Sequence, residues 1–286
     1  MAKEKILITG AGGQLGSELQ VASKNYPQFE FVFVDKDEMP LDEPGKIPAV
    51  IEDIHPSWCI SCGAYTAVDR AETEKDLAFT INGDAVGAIA ATCKKIGARL
   101  IHISTDYVFP GNSATPLKES DPTGPINVYG ASKLKGEQLA VANNPDTAVI
   151  RTAWVYSEYG NNFVKTMIRL MKEKPSISVI HDQVGSPTYA ADLAQAILHI
   201  VTAPRWVPGT YHYSNEGRIS WYEFALAIRE LIGSKCPVTP ITTDQYPTPA
   251  KRPHYSLLDK TLIKKTYGIE APDWRVGLAT CIGKLI

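Results

Sequence analysis

The sequence predicts an α/β protein: a doubly wound parallel sheet with a smaller, interwoven C-terminal lobe. Three observations predict it. Residues 6–9 form a short apolar run that ends in Gly10-Ala11-Gly12-Gly13. Strand-like and helix-like segments then alternate to about residue 152. Tyr129 and Lys133 stand one helical turn apart, downstream of Ser104-Thr105-Asp106. Strands alternating with long helices require right-handed crossovers, which build a mostly parallel sheet.

Each element follows from local pattern. Residues 6–9 read as a buried strand and 15–22 as the helix after the glycine turn. Residues 30–34 form a second strand ending at Asp35, and 58–63 a third. Residues 78–96 are Ala-rich and read as one long helix, with Gly97 as its C-cap. Residues 100–104 form a strand, 128–143 a helix and 148–151 a strand. Residues 1–152 are therefore expected to form a dinucleotide-binding domain of the Rossmann type. Beyond Thr152 the pattern loosens. Helices are expected at 162–172, 192–201 and 221–232, and strands at 177–180 and 210–213. Pro237, Pro240, Pro247, Pro249 and Pro253 exclude a regular helix from their stretch. Residues 153–286 are expected to form mainly a substrate-binding lobe, with some segments returning to the cofactor domain.

Composition narrows the partners. Hydrophobic residues make up 44% and charged residues 21% of the 286, with a net charge of −2. That balance excludes a disordered chain and a strongly basic nucleic-acid binder. Apolar stretches such as 190–201 are interrupted by polar groups and fall short of the ~20 residues of a membrane span. Lys3, Glu4 and Lys5 run straight into Ile6-Leu7-Ile8, too short for a secretory core. The five cysteines are an odd number, which argues against a disulfide scaffold and for a reducing compartment. A cytoplasmic protein with no membrane and no nucleic-acid partner is expected.

The glycine turn carries the first chemistry. Gly10 permits the tight turn out of the strand. Gly13 lets backbone N–H groups approach a pyrophosphate at a helix N-terminus, where the dipole favours an anion. Gly16 allows close helix–strand packing. Asp35, at the end of the next strand, is placed for ribose hydroxyls and favours NADH; Lys36 beside it leaves NADPH open.

The second constellation is Tyr129, Lys133 and Thr105. A spacing of one helical turn puts Tyr129 and Lys133 on one face. An ammonium near a phenol favours the phenolate and lowers a pKa that is ~10 unperturbed. Such a tyrosine can exchange a proton near neutral pH, as a carbonyl reductase requires. Ser104-Thr105-Asp106 ends a predicted strand, where ligands gather in an open α/β sheet. Thr105 is expected to hydrogen-bond the substrate oxygen that Tyr129 protonates.

Several blocks together carry a resemblance. They are Gly13-Gln14-Leu15-Gly16, Ala64-Tyr65-Thr66-Ala67-Val68-Asp69 with Ala71-Glu72, and Ser104-Thr105-Asp106-Tyr107-Val108-Phe109. Asn127-Val128-Tyr129-Gly130 with Lys133 and Gly136-Glu137 follows, then Arg151-Thr152-Ala153-Trp154-Val155-Tyr156, Gly160-Asn161-Asn162-Phe163 and Pro249-Ala250-Lys251-Arg252-Pro253. The chain thereby resembles the extended short-chain dehydrogenase/reductases and, within them, the dTDP-4-dehydrorhamnose reductase family. The resemblance implies hydride transfer from NADPH or NADH to C4 of dTDP-4-dehydro-β-L-rhamnose, the last step of dTDP-L-rhamnose synthesis. It implies that Tyr129 donates the proton, Lys133 holds the nicotinamide ribose and tunes Tyr129, and Thr105 assists. It implies cofactor contacts at Gly13, Gln14, Leu15, Asp35, Leu41, Asp42, Ala64, Tyr65 and Thr66. Gly10, Gly16 and the strand-end Gly63 complete the expected cofactor set. Thr105, Asp106, Tyr129 and Trp154 match the family's sugar-nucleotide contacts. A flat aromatic such as Trp154 suits a sugar face, and Asp106 can accept sugar hydroxyls. Arg252, on a proline-stiffened loop, is expected to pair with the diphosphate.

One departure concerns metal. Some members of the family dimerise through a magnesium ion held by carboxylates on two segments. Glu18 matches the first position. The second falls at Ala191, which has no carboxylate, with Asp192 beside it. No metal is expected, and a monomer is expected, with a homodimer the alternative.

Other signals are read structurally. Cys59-x-x-Cys62 lacks a second pair, so both cysteines are expected to act as small buried apolar residues. His102 is expected to be a core histidine and His181-Asp182 a structural pair. Glu72, Glu74, Lys75 and Asp76 read as a solvated helix start. Two other functions compete. A sugar-nucleotide dehydratase of this superfamily places a second carboxylate after the acid, where this chain has Tyr107; an epimerase would retain its nicotinamide. A non-catalytic subunit resembling the regulatory subunit of methionine adenosyltransferase is the third; the Trp154 block and residues 160–163 lean away from it.

Overall fold

The structure is a computed structural model that describes residues 3–286. Its centre is a sheet of six parallel strands in the order β10-β5-β4-β3-β1-β2. The first half runs β1 (Glu4–Thr9), α1 (Gln14–Ser23), β2 (Phe29–Val34), α2 (Ile47–Ile54) and β3 (Trp58–Ser61). Then come α3 (Val68–Ala71), α4 (Lys75–Phe79), α5 (Ala85–Ile96), β4 (Arg99–Thr105), α6 (Val128–Asn143) and β5 (Thr147–Thr152). The second half runs β6 (Val155–Tyr156), α7 (Phe163–Glu173), β7 (Ile177–Ile180), β8 (Val184–Gly185), β9 (Thr188–Tyr189), α8 (Ala190–Thr202) and β10 (Gly209–His212). It ends with β11 (Ile219–Ser220), α9 (Trp221–Leu231), β12 (Val238–Ile241), α10 (Thr261–Tyr267) and α11 (Trp274–Leu285).

A strand buried on both faces reads as an unbroken apolar run. In β1, Ile6, Leu7 and Ile8 are fully buried, and their alternation splits them between two layers. Ile6 and Ile8 join Trp58, Ile60, Ile101 and Ile150 beneath α1 and α8. Leu7 joins Cys59 and Leu100 beneath α5. A third apolar cluster, built on Tyr156, Val164, Phe224 and Trp274, forms the core of the C-terminal lobe.

Several elements depart from the pattern or add to it. Residues 78–96 are not one helix. A π-helical turn, Thr80–Asp84, separates α4 from α5. The extra residue turns Asn82 inward, where it is 1% exposed. β3 stops at Ser61 because the Cys62 and Gly63 N–H groups donate to Thr9 Oγ1 instead of continuing the ladder. The strand expected at 210–213 is β10, which extends the central sheet beside β5 from beyond residue 152. The sequence pattern does not signal α10 or α11: α10 packs on the central-sheet cluster through Ile263 and Tyr267, and α11 closes the lobe, capped by Asp273, which accepts from the Arg275 N–H.

All five cysteines are free, with Cys59 buried and Cys62 half-buried. His102 is fully buried, with Nδ1 beside Ser61 Oγ at 3.3 Å. Burial pushes it well below the usual histidine range, so it is a neutral core residue. Asp182 accepts from the Thr243 N–H and hydroxyl and anchors a turn.

Candidate active site

The ends of the parallel strands build the site. β1 delivers the glycine turn. Gly10 has φ +67°, and a Cβ there would lie 2.6 Å from Gly63 Cα. At Gly16 a Cβ would overlap the Gly10 carbonyl oxygen. Both positions therefore demand glycine. α1 starts with no side-chain cap, so no side chain takes up its first N–H groups. Leu15 turns its side chain into the core, so only its backbone N–H faces the turn. Gln14 points the other way. Its amide accepts from Asn162 Nδ2 at 2.9 Å and donates to the Val155 carbonyl, tying the turn to the lobe.

Asp35 follows β2 directly. Its Oδ2 accepts the Gly12 N–H at 2.7 Å, which sets the carboxylate against the turn. Leu41 packs against Gly63, while Asp42 and Thr66 are exposed and Ala64 half-buried. Tyr65 is held by a residue that no motif signalled. Asn82 accepts the Tyr65 N–H at 2.8 Å and donates to the Tyr65 carbonyl at 3.0 Å and to Ser132 Oγ at 2.9 Å. The dipeptide Asn82-Gly83 inside an Ala-rich helical pattern was the available hint.

α6 delivers Tyr129 and Lys133. Asn127 caps it by accepting the Gly130 N–H at 2.7 Å, and Glu72 accepts the Val128 N–H at 2.9 Å. Glu74 accepts from the Tyr65 hydroxyl at 2.6 Å. Glu72 and Glu74 are therefore not a merely solvated charge run: they brace the start of α6 and the Tyr65 loop. Lys133 is 2% exposed and donates to the Ile103 carbonyl at 2.6 Å. Burial pushes it down to about 8.

Tyr129 departs from the simple expectation. Burial pushes its phenol up to about 12, and a hydrogen bond to Thr105 pulls the other way. Desolvation of the phenolate dominates, and Lys133 spends an N–H on the Ile103 carbonyl. Tyr129 therefore rests as a protonated donor. The Tyr107 ring stands edge-on to it, centroids 5.6 Å apart.

Thr105 and Asp106 end β4. Thr105 Oγ1 lies 3.0 Å from Asp106 Oδ1 and accepts the Tyr107 N–H. Asp106 is 2% exposed, and its Oδ2 has no protein partner. Burial raises its carboxyl to about 6, against the pull of hydrogen bonds from Ser256 and Thr105.

The lobe supplies the rest. Trp154 adopts φ +50°, uncommon for a non-glycine residue, which turns its indole out of the chain path. One face of that indole is stacked on Trp221, centroids 3.6 Å apart, an aromatic wall that sequence patterning missed. Arg252 grips Asp69 through two hydrogen bonds, at 2.8 and 3.1 Å, and its NH1 also donates to the Ala250 carbonyl. That guanidinium holds the Asp69 carboxyl below its usual range. Asn127 Nδ2 bonds the Lys251 carbonyl at 2.7 Å, so the proline-rich loop is laced to the start of α6.

Glu18, the first position compared with a metal ligand, is 2% exposed within the chain. Burial, and then a hydrogen bond with Glu158, raise it to about 8. Asp192 accepts from Asn215 Nδ2 at 2.6 Å. Thr105, Asp106, Tyr129 and Lys133 thus meet where β4 faces α6. The glycine turn, Asp35, Gly63 and Tyr65 line the adjoining ends of β1, β2 and β3.

A family model described as the RmlD substrate binding domain matches residues 4–286. The chain is 40% identical over 297 residues to the dTDP-4-dehydrorhamnose reductase of Burkholderia thailandensis, covering 99% of each chain. The crystal structure of a dTDP-4-dehydrorhamnose reductase from Clostridium acetobutylicum superposes with a TM-score of 0.95 at 41% identity, covering 98% of this chain and 99% of that one. The enzyme of that name from Bacillus anthracis, solved in complex with NADP, gives a TM-score of 0.94 at 41% identity, covering 99% and 100%.

Proposed function

The chain belongs to the dTDP-4-dehydrorhamnose reductase family, and on that premise we propose how its residues reduce the C4 keto group of dTDP-4-dehydro-β-L-rhamnose to give dTDP-β-L-rhamnose. The observation that carries the reading is the meeting of protonated Tyr129 with Thr105 and Lys133 beside an uncapped glycine-turn helix.

The residues fit a nicotinamide dinucleotide, NADPH or NADH. The free N–H groups at the start of α1 take the pyrophosphate, with the backbone of Gly13, Gln14 and Leu15 closest. Asp35 accepts ribose hydroxyls, and Leu41, Asp42, Gly63, Ala64, Tyr65 and Thr66 wall the adjoining cleft. When bound, the cofactor supplies the hydride. Lys133 holds the nicotinamide ribose. Thr105 and Tyr129 donate hydrogen bonds to the keto oxygen, and Tyr129 gives up its proton as the alkoxide forms. The buried Lys133 ammonium offsets the phenolate left behind. Asp106 accepts a sugar hydroxyl through its unpartnered oxygen. Trp154, backed by Trp221, walls one side of the sugar, and Arg252 reaches the diphosphate.

We assign cofactor binding mainly to residues 1–152 and substrate binding mainly to 153–286. We further propose a monomer that needs no metal; a size on gel filtration that is unchanged by a chelator supports this, and a dimer dissolved by it refutes it. Among the described residues no helix is long and apolar enough to cross a membrane.

The decisive assay follows loss of reduced nicotinamide with dTDP-4-dehydrorhamnose, with UDP-linked keto sugars as controls. Turnover confined to the dTDP substrate is expected. Interconversion of sugars without added reductant would instead identify an epimerase.

A further inference from the structure

We propose that Glu137 is a positioning residue for the reduction: its carboxylate, gripped by Arg151, is the counter-charge that keeps the buried Lys133 side chain an ammonium. The inference rests on the reductase reading above.

Lys133 and Glu137 lie one turn apart on the same face of α6, and both are buried, at 2% and 5% exposed. Lys133 reaches β4 through the Ile103 carbonyl. Glu137 reaches β5, where Arg151 Nε and NH2 donate to its two oxygens at 2.9 and 2.7 Å. A two-point fork of this kind holds a carboxylate as an anion in one orientation. The guanidinium is itself fixed over the Phe109 ring at 5.0 Å.

A buried ammonium is costly without a nearby anion. The other groups around Lys133 do not supply one. His102, on β4, is neutral because burial drives it well down. Cys62, past the end of β3, is a thiol pushed up to about 12, and Tyr129 is a phenol at about 12. Arg151, on β5, carries the wrong sign. Asp106, at the end of β4, is turned towards Thr105 and Ser256. Glu137 is the carboxylate whose charge acts on Lys133, opposing the effect of burial. Stability offers no competing reason for the pair, because a buried ion pair is on average no better than apolar residues of the same volume.

The test is the pH profile of kcat, measured with reduced cofactor and dTDP-4-dehydrorhamnose. E137Q removes the anion, so Lys133 loses its proton sooner. The alkaline limb is expected to move down by about one pH unit. E137D keeps the charge and is expected to keep the limb. E137Q leaves the buried Arg151 unpaired, which costs stability, so the double variant E137L/R151M, which removes both charges, is measured beside it; a shift in the same direction is expected. An alkaline limb unmoved in the variants, with thermal stability the one property changed, overturns the proposal. Absence of turnover in the unmutated protein would strike the reductase reading instead.

Discussion

Arg252 and Asp69 form a bidentate ion pair, 2.8 and 3.1 Å, that joins the proline-rich loop of the C-terminal lobe to the short helix α3. The Arg252 side chain is only 22% exposed. It is therefore held in one position, with a protein carboxylate as its partner. Binding of a diphosphate would recruit part of that charge from Asp69.

From this pair, Arg252→Ala is expected to raise KM for the sugar nucleotide about tenfold or more, the worth of a charge-assisted hydrogen bond. The change in kcat should be small. Steady-state kinetics with saturating cofactor check it, and an unchanged KM removes Arg252 from the diphosphate site.

Tyr129 stands as a protonated phenol beside Thr105. Tyr129→Phe keeps the ring against Tyr107 but deletes the proton. Turnover should fall by at least ~10²-fold, with cofactor affinity largely retained. Near-normal turnover would show that another group protonates the alkoxide.

Asp35 contacts the turn through the Gly12 N–H, and the reading proposed above assigns it to the ribose hydroxyls. Asp35→Ala is expected to weaken NADH more than NADPH, because the carboxylate accepts from a free 2′-hydroxyl but repels a 2′-phosphate. Titration of both cofactors by fluorescence checks it; equal losses would place Asp35 elsewhere.

Asp106 gives a pH dependence with a definite sign. Its folded pKa, about 6, lies above the ordinary 3.8 because burial penalises the anion. The folded state therefore holds this proton longer than the unfolded chain. Stability from this group is full below pH ~4 and falls as pH rises through ~6, by on the order of 3 kcal/mol. D106N lacks the titration, so its stability relative to the unmutated chain should increase between pH 4 and 7. Urea unfolding at several pH values reads this, and parallel curves for the two proteins would contradict it.

The glycine turn and the Tyr129/Lys133 pair are legible in the sequence because short-range geometry sets both. The turn needs positive φ at Gly10 and a missing Cβ at Gly16. The pair needs only the repeat of one helix, and α6 spans the segment that the pattern predicts. The break between α4 and α5 is not legible in the same way. Ala-rich sequence favours an unbroken helix, and the π turn forms because Asn82 gains buried partners on Tyr65 and Ser132, far away in the chain.

By itself, the sequence determined the α/β class, the glycine turn and the one-turn spacing of Tyr129 and Lys133. These depend on strand and helix periodicity and on residue type at fixed local spacing. Only the tertiary structure decided what each of those residues feels. It put Trp221 against Trp154, Asp69 against Arg252 and Arg151 against Glu137. It also decided that the Tyr129 phenol is pushed up rather than down, because desolvation depends on what surrounds a side chain in space.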